Sequence, residues 1–246
     1  MTSAAVIGAN GYVGTALCAA LKKNKFVLTE VIRSNYAQLR QGTYDIVINA
    51  AMPSKRFWAE NNPDADYQET VQKTKDLING WKFNKFVQIS TISARSQLDT
   101  VYGRNKAAAE KLCPSHSLII RLGPMYGTGL KKGVLIDILK NQKVYVDGSS
   151  KYCFAPVEFA TNWIACHLER TGITEVGAWN AIRLKEVADH IKSCSQFEGR
   201  LDHQEIPNPE ADFPDAKQVF SFLDQMKKMD YDSRAKKNHS DGSRCR

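Results

Sequence analysis

The feature that most restricts this chain is the stretch AAVIGANGYVGTALCAALKK near its start. An apolar run over residues 4–7 predicts a strand. Val13, Ala16, Leu17, Ala20 and Leu21 then share one face of a predicted helix over 12–23. Between the two lie Gly8, Gly11 and Gly14. Passing from strand to helix in so few residues requires a tight turn, which Gly8 suits. Gly11, without a Cβ, lets the backbone approach a pyrophosphate, and Gly14 lets the helix pack closely on the sheet. The helix N-terminus offers unpaired N–H groups and the positive end of its dipole to phosphate oxygens. Asn10, Tyr12 and Val13 lie on the same turn and are further candidates for cofactor contact.

Runs of Val, Ile, Leu and Phe predict further strands over 26–32, 46–50, 86–89 and 118–122, with helices over 66–80 and 102–112 between them. Such uninterrupted apolar strands suit a parallel sheet covered on both faces, and strand–helix alternation implies right-handed crossovers. The expected class is α/β with a doubly wound parallel sheet. Later strands are expected over 143–146 and 175–180, and helices over 156–169, 184–193 and 219–229. The link SNYAQLRQGTYD is short for a full strand–helix unit, so one such unit is expected to be trimmed.

The 246 residues suffice for one large domain, expected over 1–231, with a reduced substrate-binding part drawn mainly from 124–153 and 175–231. No long apolar window predicts a membrane span, and no basic segment precedes the apolar start, so no signal peptide is expected. Six cysteines without C-x-x-C spacing argue for free thiols in a reducing cytoplasm. The five histidines make no ligand spacing, and no metal is expected. The net charge is +8, of which the stretch 232–246 holds +3 and reads as a disordered basic tail. The remainder fits attraction for an anionic small molecule, and no basic cluster interleaved with aromatics points to nucleic acid.

Three clusters carry candidate chemistry. The second strand ends VIRSN, with Arg33, Ser34 and Asn35 and no acid after Glu30. A basic group at this point favours the 2′-phosphate of NADP over the free hydroxyls of NAD. Tyr102 and Lys106 stand four apart on a predicted helix and so share a face. A free phenol titrates near ~10, and a neighbouring ammonium favours its ionised form, which equips Tyr102 to donate or accept a carbonyl oxygen's proton. Ser90, Thr91 and Ser93 follow the fourth apolar run, at the strand end where α/β proteins bind ligands. Any of the three offers a hydroxyl to a substrate oxygen.

In this order and spacing, GANGYVG, YDIVINAA, ENNPDADYQETVQKTKDLI, YGRNKAAAE, RLGPMYGTG, KYCFAPVEFATNWI and AWNAI resemble the extended short-chain dehydrogenase/reductase family. These are NAD(P)-dependent sugar-nucleotide epimerases, dehydratases and reductases on a Rossmann-type sheet. The wording is most similar to the dTDP-4-dehydrorhamnose reductase-like branch. The resemblance implies a catalytic trio of Thr91, Tyr102 and Lys106, with Ser93 as the alternative hydroxyl. It places Asn49, Ala50 and Ala51 beneath the cofactor, and Pro124, Met125 and Tyr126 beside the nicotinamide. Met52, Arg56, Ser93, Tyr126 and Lys151 are candidates for substrate contact, Arg56 because it follows the Ala50–Ala51 strand end. The function implied is NADPH-dependent reduction of a keto carbon on a nucleotide sugar. The alternatives are epimerisation, reduction of another small carbonyl compound, or non-catalytic NADP binding. Family members often pair through core helices, so a homodimer is a candidate assembly.

Overall fold

The computed structural model describes residues 1–229, so the expected tail over 232–246 lies outside the described residues. The chain opens β1 (Ser3–Ile7), α1 (Tyr12–Lys23), β2 (Val27–Val31), α2 (Tyr36–Leu39) and β3 (Thr43–Asn49). A helical stretch follows, α3 (Arg56–Asn61), α4 (Pro63–Tyr67) and α5 (Lys73–Gly80), the last two joined by a π-helical turn at Gln68–Gln72. Then come β4 (Lys82–Thr91), α6 (Ser93–Ser96), α7 (Val101–Lys111), β5 (Leu118–Leu122), β6 (Met125–Tyr126) and α8 (Val134–Leu139). The rest is β7 (Lys151–Tyr152), β8 (Ala155–Pro156), α9 (Val157–Cys166), β9 (Gly172–Val176), β10 (Ile182–Arg183), α10 (Leu184–His190) and a helix over 219–229.

Six strands form one sheet in the order β2-β1-β3-β4-β5-β9, every pair parallel. The strand order reverses at β1, whose neighbours are β2 on one side and β3 on the other, so a crevice opens above their C-terminal ends. Among the described residues no strand lies beyond β2; the link holds only the four-residue α2, as the shortness of SNYAQLRQGTYD predicted. Alternation sends Ala4, Val6, Ile46, Ile48, Val87 and Ile120 to the face covered by α1 and α9, with Leu17, Leu21, Ala160 and Ile164 among the packed residues. Ala5, Ile7, Val31, Val47 and Phe86 turn to the other face, against Leu77 of α5 and Trp81. Burying a side chain such as Leu17 or Phe86 contributes roughly 1.5–3 kcal/mol.

Two expected strands are corrected. The stretch 143–146 makes only a single bridge among the described residues, Val144 to Phe197, because the segment it meets there is itself no strand. The late strand is Gly172–Val176 rather than 175–180. It is an edge strand with only Val176 buried, so its residues are not the apolar run that the sequence pattern seeks. Among the described residues no helix is long and apolar enough to cross a membrane.

A buried ion pair fixes α7 to the sheet. Arg121 of β5 grips Glu110 of α7 with three hydrogen bonds of 2.6–3.1 Å, and Ser90 of β4 donates to the same carboxylate at 2.5 Å. Glu110 and Arg121 are 5% and 15% exposed, and Glu175 Oε1 lies 3.6 Å from Arg121 Nη1, so losing Glu110 leaves the guanidinium one weaker carboxylate partner. Glu110→Ala is therefore expected to cost about 1.5–3 kcal/mol in urea unfolding, the range for losing hydrogen bonds to a charged group, and the double change Glu110→Leu with Arg121→Met to recover most of it. An alanine variant as stable as the parent would contradict this.

Candidate active site

A cleft of about 1860 Å³ runs over the ends of β1, β3 and β4. At one end lies the glycine turn. Gly8 has φ +86°, and a Cβ there would stand 2.8 Å from Ala51 Cα. A Cβ on Gly14 would stand 2.0 Å from the Gly8 carbonyl oxygen, so its close partner is the turn itself and not the sheet, as had been expected. Around Gly11 the only atom within 4 Å of a Cβ would be that same oxygen at 3.2 Å, and the rest is cleft. Gly11 also starts α1 with no side-chain cap, and the first turn of the helix has no acidic residue. Its leading N–H groups are therefore left without a side-chain partner from the helix itself. This cradle, which a side chain at residue 11 would fill, fits the pyrophosphate of a dinucleotide.

Asn10, Tyr12 and Val13 line the same end. The Tyr12 hydroxyl is buried without a partner among the described residues, and burial together with Glu158 pushes its pKa up. Past β2, Arg33 lines the cleft with Tyr36 and Arg40, two residues the sequence reading missed. Ser34 is exposed and off the lining. Asn35 is turned inward: its Oδ1 accepts from Ile32 N at 2.8 Å and its Nδ2 donates to the Glu30 carbonyl at 3.0 Å. It shapes the strand end and is not on the cleft lining.

At the end of β3, Ala50, Ala51 and Met52 form the floor. Asn49 is buried and shapes that floor, donating to Gln88 and Thr74 and accepting from Ala51 N at 3.2 Å. The Met52 sulfur takes a bond from Gln88 Nε2 at 3.0 Å.

The far wall is α7. Thr100 caps it by accepting from Gly103 N at 3.0 Å, and Tyr102 and Lys106 both reach the cleft. Tyr102 is 6% exposed, and Lys106 Nζ sits 5.2 Å from its ring centroid. Burial pushes Lys106 down to about 7, against the pull of Asp66, and its Nζ donates to the Pro53 carbonyl at 2.7 Å. Burial raises Tyr102; the charge of Arg56 lowers it, Asp66 raises it, and a bond with the Thr91 hydroxyl lowers it.

Among the three hydroxyls at the end of β4, Ser90 and Thr91 both line the cleft, Ser90 donating a hydrogen bond to Glu110, while Ser93 is fully buried against Arg56 and off the lining. Several expected substrate contacts lie elsewhere. Arg56 is bound to Asp202 at 2.8 Å and is not on the lining. Tyr126 is buried with its ring 5.2 Å from that of Phe222, because β6 turns it into the core. Lys151 stands near Glu205 at 3.9 Å, off the cleft. Pro124 gives its carbonyl to Ala155 N, and its neighbours Gly123 and Met125 form the wall instead. Lys131 and Lys132 do reach the cleft, and Lys132 crosses to Ser54 at 2.9 Å.

Residues 4–141 match the NAD dependent epimerase/dehydratase family. No sequence match was found among curated proteins. Among solved structures, UDP-glucose 4-epimerase from Thermotoga maritima with UDP-glucose is similar at 13% identity and TM-score 0.71, covering 91% of this chain and 99% of that one. The dTDP-4-dehydrorhamnose reductase of Bacillus anthracis in complex with NADP is similar at 16% identity and TM-score 0.71, covering 90% and 97%. RMD from Pseudomonas aeruginosa complexed with NADPH is similar at 18% identity and TM-score 0.65, covering 85% and 88%.

The state of Lys106 has a consequence for stability. Its folded value of about 7 lies below the ordinary lysine value, so the cost of burying it is full below pH 7 and fades as pH rises toward about 10. Lys106→Met should therefore raise the urea midpoint clearly at pH 6.5 and much less at pH 10. An equal gain at both would show that Lys106 keeps its proton in the fold.

Proposed function

The chain belongs to the NAD dependent epimerase/dehydratase family, and from that premise we propose that it is an NADP-dependent reductase of a keto carbon on a nucleotide-linked sugar. The observation that carries this reading is one continuous cleft with the glycine turn at one end and Thr91, Tyr102 and Lys106 at the other. A bound dinucleotide would supply the hydride. The residues that would hold it are the 8–13 turn at the pyrophosphate, Arg33 with Tyr36 and Arg40 at the adenosine end, and Ala50 and Ala51 as the floor.

Tyr102 gives its proton to the carbonyl oxygen as negative charge develops there, which requires the phenol form that burial favours. Thr91 orients that oxygen by a hydrogen bond. Lys106 has one bond to exchange, that with Pro53, for a ribose hydroxyl. Lys131 and Lys132 place positive charge on the cleft wall, where a nucleotide sugar's diphosphate is an anion in need of it. Holding these groups in place is worth several kcal/mol of barrier. Epimerisation is the second reading, supported by the likeness to the UDP-glucose 4-epimerase; it predicts no net consumption of NADPH, whereas reduction consumes one equivalent per turnover. The five described cysteines are free thiols, which supports a cytoplasmic setting.

Tyr102→Phe should leave NADPH affinity nearly unchanged and lower turnover at least ~100-fold, measured by cofactor oxidation with nucleotide sugars. Undiminished turnover would remove Tyr102 from the chemistry. Arg33→Ala should weaken binding of NADPH far more than of NADH in calorimetry, and an equal effect would reject the 2′-phosphate contact.

A further inference from the structure

Arg56 begins a six-residue helix, and no part of the reaction described above uses it. Its guanidinium nonetheless joins two segments far apart in the chain. Nη1 donates to Asp202 Oδ2 at 2.8 Å, and Nη2 to Ser93 Oγ at 3.3 Å. Ser93 continues the line inward: its hydroxyl lies 3.4 Å from that of Thr91, and its N–H donates to Thr91 Oγ1 at 3.3 Å. Thr91 and Tyr102 line the same cleft. A chain of polar contacts therefore runs from Asp202 through Arg56 and Ser93 to Thr91, which shares the cleft with the phenol.

The outer end of this chain is firmly built. Asp202 is 13% exposed, and its Oδ2 collects Tyr152 Oη at 2.7 Å and Gln204 Nε2 at 3.0 Å besides Arg56. The Asp202 N–H donates to Ser150 Oγ at 2.9 Å, and Gln204 pairs by backbone with Lys151 and Cys153. The strap over 202–204 is thus stitched to β7, while its carboxylate reaches α3.

We propose that Arg56 is the positioning residue that orients Thr91 and sets the charge felt by Tyr102, and that Asp202 governs it from the C-terminal strap. This rests on the reading of Tyr102 as general acid. Four groups face the phenol: Arg56 from α3, Asp66 from α4, Thr91 from β4 and Lys106 from α7. Asp66 opposes Arg56, and Lys106 donates to Pro53. Arg56 is therefore the cation whose removal the phenol should feel, and Asp202 is the anion that partly cancels it. A substrate that displaces Asp202 from Arg56, or a movement of the strap, would alter the acid directly.

The two partners should act on Tyr102 with opposite signs, which a structural ion pair would not do. The test places 3-fluorotyrosine at position 102 of the cofactor-free protein and follows its 19F shift with pH, so the readout needs no turnover. Arg56→Gln should move the midpoint up by about one pH unit, Arg56→Lys should restore most of that shift, and Asp202→Asn should move it down. Midpoints that stay fixed, or that move the same way in Arg56→Gln and Asp202→Asn, would overturn the proposal. Should Arg56→Gln fail to fold by circular dichroism, Arg56→Lys near the parent value and Asp202→Asn below it still support the proposal, and Asp202→Asn at or above the parent value overturns it. Absence of NADPH oxidation with every nucleotide sugar would end the reductase reading and leave this titration standing.

Discussion

The contact between Gly14 and the Gly8 carbonyl is the constraint on which the rest of the molecule depends. A methyl group on residue 14 would sit 2.0 Å from that oxygen, so α1 can start where it does only because residue 14 lacks a side chain. The approach swings the head of α1 onto the end of β1 and leaves its first amides facing the cleft without a cap. Since β1 is also where the sheet changes direction, the same contact puts the positive end of a helix over the crevice between β1 and β3. The opposite wall is then fixed by α7, anchored through Glu110 to Arg121 and Ser90.

The site holds more charge than its burial favours. Lys106 and Asp66 are almost wholly out of water, and one oxygen of Asp66 has no hydrogen-bond partner among the described residues while the other takes Asn105 Nδ2 at 2.8 Å. Burial alone drives Lys106 toward its neutral form and Tyr102 toward the phenol. A general acid working near neutral pH needs its proton retained, and burial supplies that. It must also let the proton go as an oxyanion forms, and the cation and hydroxyl beside it favour that release.

What was legible in the sequence was local. The glycine turn, α1, the strand over 118–122 and the Tyr102–Lys106 pair on α7 each lie within a few residues of the signal that reveals them. Non-local geometry was not legible. Ser90, Thr91 and Ser93 looked equivalent until Glu110, twenty residues on, claimed the first of them. Arg56 looked like a free basic group at a strand end, and its partner is 146 residues away. Tyr126 carried an apparent site motif, yet the final helix supplies Phe222 to cover it. The edge strand at Gly172–Val176 escaped because Gly, Thr and Glu at a half-exposed edge lack the apolar run that marked the central strands.

The central claim is that the cleft over the glycine turn is a dinucleotide seat that delivers the nicotinamide to Tyr102. A crystal structure of the protein grown with NADPH tests it most directly. The account predicts the pyrophosphate against the backbone of residues 8–12, the 2′-phosphate beside Arg33, and the nicotinamide ring next to the Tyr102 hydroxyl. An NADPH-saturated crystal with that cleft empty, or with the nicotinamide turned away from Tyr102, would contradict it.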